Sequence, residues 1–281
     1  ASQELCMLSD VFNQLVEKLD VKNNQLAEVN FSGVSWPKMR KDAQKTLKNL
    51  DQIKSEFIST AAHELSTPLA SIMGFTELLT DPEMLAPFNE EKKKELLQEV
   101  YDNSERLTKI VDDILDISRI EAGRTIPLHK QSTSTEIFLG KFVSRFKLKA
   151  GHKLNLEIKV GTPGTIRIDV HRINQVMENL LSNAIKYSPQ EGNISIITEL
   201  EGSYCKVAVI DQGIGMSEQQ VARIFDKFYR ADASNTAIRG LGLGMSIVKQ
   251  IIEEHSGKIW VESTSGEGTQ VYFTLPIDQS V

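Results

Sequence analysis

Residues 59–75 read STAAHELSTPLASIMGF. The run reads as helix, yet it presents one histidine, His63, with Glu64 directly behind it and Pro68 five positions on. A proline inside a helix removes a hydrogen bond and invites a kink. Upstream, Met39, Ala43, Thr46, Leu50, Ile53, Phe57 and Thr60 recur in alternating steps of four and three. This heptad seam enters the quoted stretch and continues to about Leu79. An earlier seam in another phase runs through Leu8, Phe12, Leu15, Leu19, Leu26 and Val29, with Lys22 in its one gap. Between the two lies NFSGVSWPK (30–38), with Gly33 and Pro37 as breakers. Downstream, TDPEMLAPFNEE (80–91) reads as a turn, with Pro82 and Pro87 inside it and Asn89 as the cap of the next helix. Residues 90–121 give a second amphipathic helix, with Leu97, Val100, Leu107, Val111 and Ile114 on one stripe and Gly123 as its stop.

Two long helices joined by a short turn cannot bury both stripes alone, but two copies can, as a four-helix bundle. A homodimer is therefore expected; the alternative is a monomeric hairpin packed on the rest of the chain. Composition fits a protein of about two domains, at roughly 150 residues each. The 281 residues are 40% hydrophobic, enough for real cores, and the net charge of −6 argues against a nucleic-acid partner. Cys6 and Cys205 lie far apart in unrelated contexts, which is neither a disulfide framework nor a metal cluster and fits a reducing compartment. No apolar run is long enough to span a membrane, and no signal-peptide pattern is legible. The chain opens on Ala1, with its first methionine at Met7, so the sequence is expected to be a piece of something longer.

From about residue 125 the pattern changes. Short β-type runs appear: TIPLHK (125–130), KLNLEIKV (153–160), TIRID (165–169), NISIITEL (193–200), YCKVAVID (204–211), KIWVES (258–263) and TQVYFTLP (269–276). Helical stretches lie between them, notably 170–187 and 243–255. The expected fold of this half is an α/β sandwich, one mixed sheet with helices on a face. There is no P-loop, so a nucleotide site must be of another kind.

Four stretches here bear on chemistry. NQVMENLLSNAIKYSP (174–189) places Asn179 and Asn183 four apart on one helix face, with Lys186 and Tyr187 in the next turn. Amide oxygens suit a hard cation and an ammonium suits phosphate, so the set fits a magnesium–polyphosphate complex; taken alone, it fits capping or a solvated face as well. VIDQGIGM (209–216) brings Asp211 off a strand end, able to accept from an exocyclic amine such as that of adenine, with Gly213 and Gly215 allowing close backbone approach. The same letters also make an ordinary turn. IFDKFYRADASNTAIRG (224–240) reads as a mobile lid. RGLGLGMSIVKQII (239–252) opens a helix on Gly240, Gly242 and Gly244, whose free N–H groups can receive an anion. Each signal is weak by itself; the four in this order are strong.

Together these stretches resemble the bacterial two-component sensor histidine kinases. Residues 59–75 resemble that family's H box, MENLLSNAIKYSP its N box, DQGIGM its first glycine box, IFDKFYR its F box, GLGLGMSIV its second glycine box, and GEGTQVYFTLP (266–276) its closing glycine–threonine segment, which brings in Thr269. The resemblance covers roughly residues 50–277, and residues 3–28 weakly resemble the second helix of a HAMP linker. It implies a lead-in over 1–38, a dimerisation and phosphoacceptor hairpin over 39–123, and an ATP-binding domain of the gyrase and heat-shock chaperone type over 124–281. It implies the cytoplasmic portion of a membrane-anchored sensor.

The resemblance makes His63 the phosphoacceptor, and its chemistry agrees. About three quarters of an unperturbed histidine is the neutral, nucleophilic form at pH 7. Glu64 can hold one ring N–H and take its proton as the other nitrogen attacks. Asn183 would hold magnesium, with Asn179 in support; Lys186 and Arg230 would neutralise phosphate charge, Tyr187 would flank the base or ribose, and Asp211 would read adenine. The phosphoryl group would pass to an aspartate of a response regulator docked near Ile72 and Phe75. Thr67, one turn beyond His63, would hold a water for the reverse, phosphatase reaction. One departure stands out: Ser66 occupies a position where the family usually has arginine or lysine, which bears on the balance of kinase and phosphatase modes. His129, His152, His171 and His255 lack such company and read as structural or surface residues. Two rivals are a degenerate, non-enzymatic scaffold and an ATPase of the gyrase or chaperone kind. The latter typically carries a glutamate four residues before the magnesium asparagine, where this chain has Asn179.

Overall fold

The computed structural model describes the backbone of residues 37–146, 148, 151–188, 192–230 and 241–278, and side chains from residue 58 onward. The seam expected over 8–29 and the glycine at Gly240 lie outside the described residues.

The heptad seam becomes α1, Pro37–Thr80, a continuous helix with Pro68 inside it. Pro68 has no N–H for the Glu64 carbonyl one turn back, and the hydroxyls around it bond backward along the helix. Thr67 Oγ1 donates to the His63 carbonyl at 2.9 Å, and Ser71 Oγ donates to the Thr67 carbonyl at 3.2 Å. The turn holds a single-turn helix, α2, Pro82–Leu85, capped by Asp81. Asn89 caps α3, Glu90–Glu121, through its side-chain oxygen, as expected, and Gly123 follows in the left-handed region at φ 67°. α3 packs back along α1. The stripe that meets α1 is not quite the expected one: Leu96, Ile110, Ile114 and Ile117 are buried, while Leu97 is 58% exposed. A helix drifts against a seven-residue repeat, and Leu97 and Tyr101, each 58% exposed, stay uncovered in the single chain.

Contacts separate this hairpin from a unit that begins at Gly123. Its elements are β1 (Gln131–Ser134), α4 (Thr135–Arg145), β2 (Lys153–Ile158), β3 (Thr165–Ile168), α5 (Val170–Tyr187), β4 (Asn193–Glu201), β5 (Tyr204–Asp211), α6 (Glu218–Val221), α7 (Gly244–Glu254), β6 (Ile259–Thr264) and β7 (Gly268–Pro276). Five strands form one mixed sheet in the order β2-β4-β5-β7-β6, parallel only between β2 and β4; β1 and β3 make a separate antiparallel pair. Alternation along each strand sorts the side chains. Cys205, Val207 and Val209 of β5 and Phe273 of β7 are buried, as are Met177 and Leu181 of α5 and Ile247 and Ile251 of α7, which pack on the sheet. On the other face Lys206 lies over Trp260 and Tyr272, whose rings stack 5.2 Å apart. Burial pushes the Cys205 thiol up to about 12.

The first expected strand is displaced. Residues 125–130 carry no ladder, and the strand is the following, more polar QSTS of β1. The reason is where the polar groups of that segment go. His129 N–H donates to Asp169 Oδ2 at 2.7 Å, and Lys130 Nζ donates to the Glu254 carbonyl at 2.7 Å. Asp169 also caps α5 and is donated to by Arg172 N–H, while its own N–H donates to His255 Nε2 at 3.0 Å. His255 is fully buried, its Nδ1 2.7 Å from the Ile251 carbonyl. Burial holds its imidazole below the ordinary value. Burial alone would raise the Asp169 carboxyl, but donors from His129, Arg172 and His171 outweigh it and hold it below the usual range.

Candidate functional site

In the sheet unit the described site residues fall on α5, at the adjoining ends of β5 and β7, at the start of α7 and on the loops beside them. Asn179 is 8% exposed, and its Nδ2 is buried with no hydrogen-bond partner. A Cβ placed on Gly244 would lie 3.5 Å from Asn179 Oδ1, so the amide faces the first residue of α7. No side chain caps α7 at Leu243, which leaves the first N–H groups of that helix for an anion. Asn183 is one turn further along α5, and Lys186 Nζ lies 5.4 Å from the Tyr187 ring centroid. The helix thus ends in a cation next to an aromatic face.

Asp211 closes β5 opposite Thr269 on β7. Its Oδ1 accepts from Gly213 N–H at 2.8 Å and from Thr269 N–H at 3.2 Å. Burial pushes the Asp211 carboxyl up, and those two donors pull it part of the way back. The glycines turn out to be needed by the chain itself. A Cβ on Gly213 would stand 2.5 Å from the Tyr187 carbonyl, and Ile214 N–H donates to that same carbonyl. Gly215, at φ 63°, would press a Cβ into the Thr264 carbonyl. Gly242, at φ 69°, would meet the backbone of Phe228 and Tyr229 within 3 Å. These close approaches lock the loop after β5 to the end of α5 and to β6, and the start of α7 to the aromatic segment. Arg223 stacks on Tyr229 at 4.4 Å, and Lys249 of α7 lies over Phe225 at 5.9 Å. Arg230, part-exposed, ends this described segment. A residue missed in the sequence is Ser263: its Oγ accepts from Met216 N–H at 2.9 Å and donates to the Gly268 carbonyl at 2.8 Å. A serine on a strand gives no local signal of such a role.

His63, Glu64 and Thr67 belong to the hairpin. His63 is exposed and Glu64 is 6% exposed. The Glu64 carboxylate accepts from Arg106 of α3 at 2.8 Å, a partner 42 positions away that no spacing rule points to. The Thr67 hydroxyl is spent on the His63 carbonyl.

Two family models match this chain. Residues 53–123 match the His Kinase A (phospho-acceptor) domain, and residues 168–279 match the histidine kinase-, DNA gyrase B- and HSP90-like ATPase. It belongs to the sensor histidine kinases. Among curated relatives, the non-motile and phage-resistance protein of Caulobacter vibrioides is 35% identical over 82% of this chain and 28% of its own length. Sensor histidine kinase WalK of Bacillus subtilis is 32% identical over 81% of this chain and 37% of its own. The chain thus spans about a third of the length of these relatives. The fold also resembles histidine kinase ThkA solved in complex with response regulator protein TrrA, at a TM-score of 0.52 and 24% identity, covering 88% of this chain and 68% of that one. For a histidine kinase, the site residues fit ATP and magnesium. The orphaned amide of Asn179 and the uncapped start of α7 want an anion, and amide oxygens on α5 suit a hard cation that keeps phosphate and water among its ligands. Among the described residues no cluster of three or more His, Cys, Asp or Glu could bind a metal alone, and no helix is long and apolar enough to cross a membrane.

Proposed function

We propose that this chain transfers the γ-phosphoryl group of ATP to His63 and then to an aspartate of a response-regulator receiver domain, with phosphatase activity toward that regulator. The observation that carries the reading is the unpartnered Asn179 amide facing the uncapped start of α7, an arrangement of donors that suits a polyphosphate. One imidazole nitrogen of His63 attacks the terminal phosphorus, the N–P bond forms, and the bond to the bridging oxygen breaks with its electrons leaving on ADP. The proton on the other ring nitrogen goes to Glu64. Asn183 would hold magnesium, which supplies charge neutralisation on the phosphates, and Asn179 would support the metal or phosphate region beside it. Lys186 and Arg230 add positive charge, Tyr187 flanks the nucleoside, and Asp211 accepts from adenine. Phosphoryl transfer depends mostly on positioning, worth roughly 7–11 kcal/mol. A general base adds a factor of about 10²–10⁴.

Two copies of the hairpin would pair through a face that includes the uncovered Leu97 and Tyr101. The regulator would dock on α1 near Ile72 and Phe75, about three turns beyond His63. The whole would be the cytoplasmic part of a membrane-anchored sensor. Incubation with γ-labelled ATP tests the activity. Acid-labile, base-stable label on the protein, absent from His63→Gln although that variant binds ATP, is the expected result. Free phosphate without protein label would indicate an ATPase, neither would indicate a scaffold, and residual acid-labile label on His63→Gln would overturn the role of His63.

A further inference from the structure

Glu64 and His63 are neighbours in sequence but not on the helix surface. Successive residues on a helix diverge by about 100°. His63 accordingly faces solvent while Glu64 turns inward. There its Oε2 is bound to one guanidinium nitrogen of Arg106 at 2.8 Å, the Glu64 side chain being 8% and the Arg106 side chain 41% exposed. A carboxylate in that position is engaged with a cation across the hairpin. To hold the ring N–H of His63 it has to leave Arg106 and swing outward.

We propose that Arg106 is a positioning residue that acts through Glu64: it latches the carboxylate away from His63, and autophosphorylation requires the carboxylate to cross from the guanidinium to the imidazole. This rests on the reading of His63 as phosphoacceptor and of Glu64 as its base. The latch is a single N–H···O link rather than a bidentate fork, so it can release without repacking the hairpin. The rate then scales with the fraction of chains in which Glu64 is released. Weakening the latch raises that fraction while leaving ATP binding alone, because Arg106 stands on α3 and the nucleotide residues stand in the sheet unit.

The test is a graded series, Arg106→Lys, Arg106→Gln and Arg106→Met, each also made in a Glu64→Gln background. Label uptake at His63 is followed at several ATP concentrations. Lysine keeps a cation and should match the wild type. Glutamine and methionine should raise the maximal rate progressively, reaching roughly two- to fivefold, the scale of a half-exposed ion pair. The KM for ATP should not change. In the Glu64→Gln background the same substitutions should change nothing, although the rate is lower throughout. A flat or falling series, a change in KM instead of the maximal rate, or an acceleration that persists without the Glu64 carboxylate would each overturn the latch. Failure of the wild type itself to take up label would overturn the function proposed above instead. Should one variant fold poorly by thermal denaturation, the remaining members still decide the order.

Discussion

Asp211 has two N–H donors on one carboxylate oxygen, from Gly213 and Thr269, and those donors fix the direction of the other. An asparagine there keeps an acceptor and loses the charge. A charge-assisted hydrogen bond is worth about 1.5–3 kcal/mol, so Asp211→Asn should weaken ATP binding roughly 10- to 150-fold; calorimetry at neutral pH measures it, and unchanged affinity would remove Asp211 from nucleotide recognition. Because burial pushes this carboxyl up, it takes a proton at a higher pH than an ordinary aspartate. ATP affinity should accordingly begin to fall on acidification while exposed carboxylates are still ionised. Thr67 is a different case. Its hydroxyl is bonded to the His63 carbonyl, the arrangement of a residue that eases the helix past Pro68. To hold a water for regulator dephosphorylation the hydroxyl must turn. Thr67→Ala should keep near-normal labelling of His63 and lose most ADP-stimulated dephosphorylation; equal dephosphorylation by both proteins, from an active wild type, would leave Thr67 with only its helical bond.

Among the elements, the loops that carry the glycines separate two kinds of need. Gly215 has a positive φ and would press a Cβ into the Thr264 carbonyl, whereas Gly266, at φ 86°, has nothing within 4 Å of the same position. Gly266→Ala should cost only backbone strain, about 1–2 kcal/mol. Gly215→Ala adds a clash with backbone that cannot move cheaply, so its loss should exceed that by several kcal/mol or abolish folding of the sheet unit; urea melts of the two variants compare them directly. The helices and most strands could be read from the chain because their apolar residues repeat with the period of the element: α3 begins after Asn89 and stops before Gly123 as its caps dictate. What could not be read was anything settled by a distant partner. Residues 125–130 have a strand's composition, but Asp169 and Glu254 claim their donors, and the polar β1 pairs instead because β3 brings Ile166 and Ile168 to the core. Leu97 and Leu96 differ by one position, and only the packing of α3 on α1 chooses between them. In the candidate site the nucleotide residues were legible as motifs. Gly213 and Gly215 read as room for a ligand's close approach, but the space beside each is filled by the chain's own Tyr187 and Thr264 carbonyls. Arg106 was illegible, since an ion pair across 42 residues leaves no periodicity.

For the molecule as a whole, the knot of His129, Asp169 and His255 ties the stability of the sheet unit to pH. The folded His255 binds its proton less readily than an unfolded histidine, so below the ordinary histidine range the unfolded chain takes up a proton the folded one refuses, and stability falls with falling pH. Asp169 acts in the same direction but lower: its folded carboxyl lies below the ordinary aspartate value, so its contribution is present above about pH 4 and is lost as pH drops toward that lower value. Urea unfolding midpoints should therefore decline from pH 8 to pH 5, and the decline should flatten in His255→Gln; an equally steep decline in that variant would place the proton uptake elsewhere. The thiol of Cys205 gives the same unit a clock. Completely buried on β5 and pushed up to about 12, it is shut off from alkylating reagents while the sheet is intact. In a Cys6→Ser background every molecule that reacts with maleimide has therefore opened its sheet at least once. The alkylation rate then counts opening events, and ATP, by binding only the closed form, should slow that count in proportion to its occupancy.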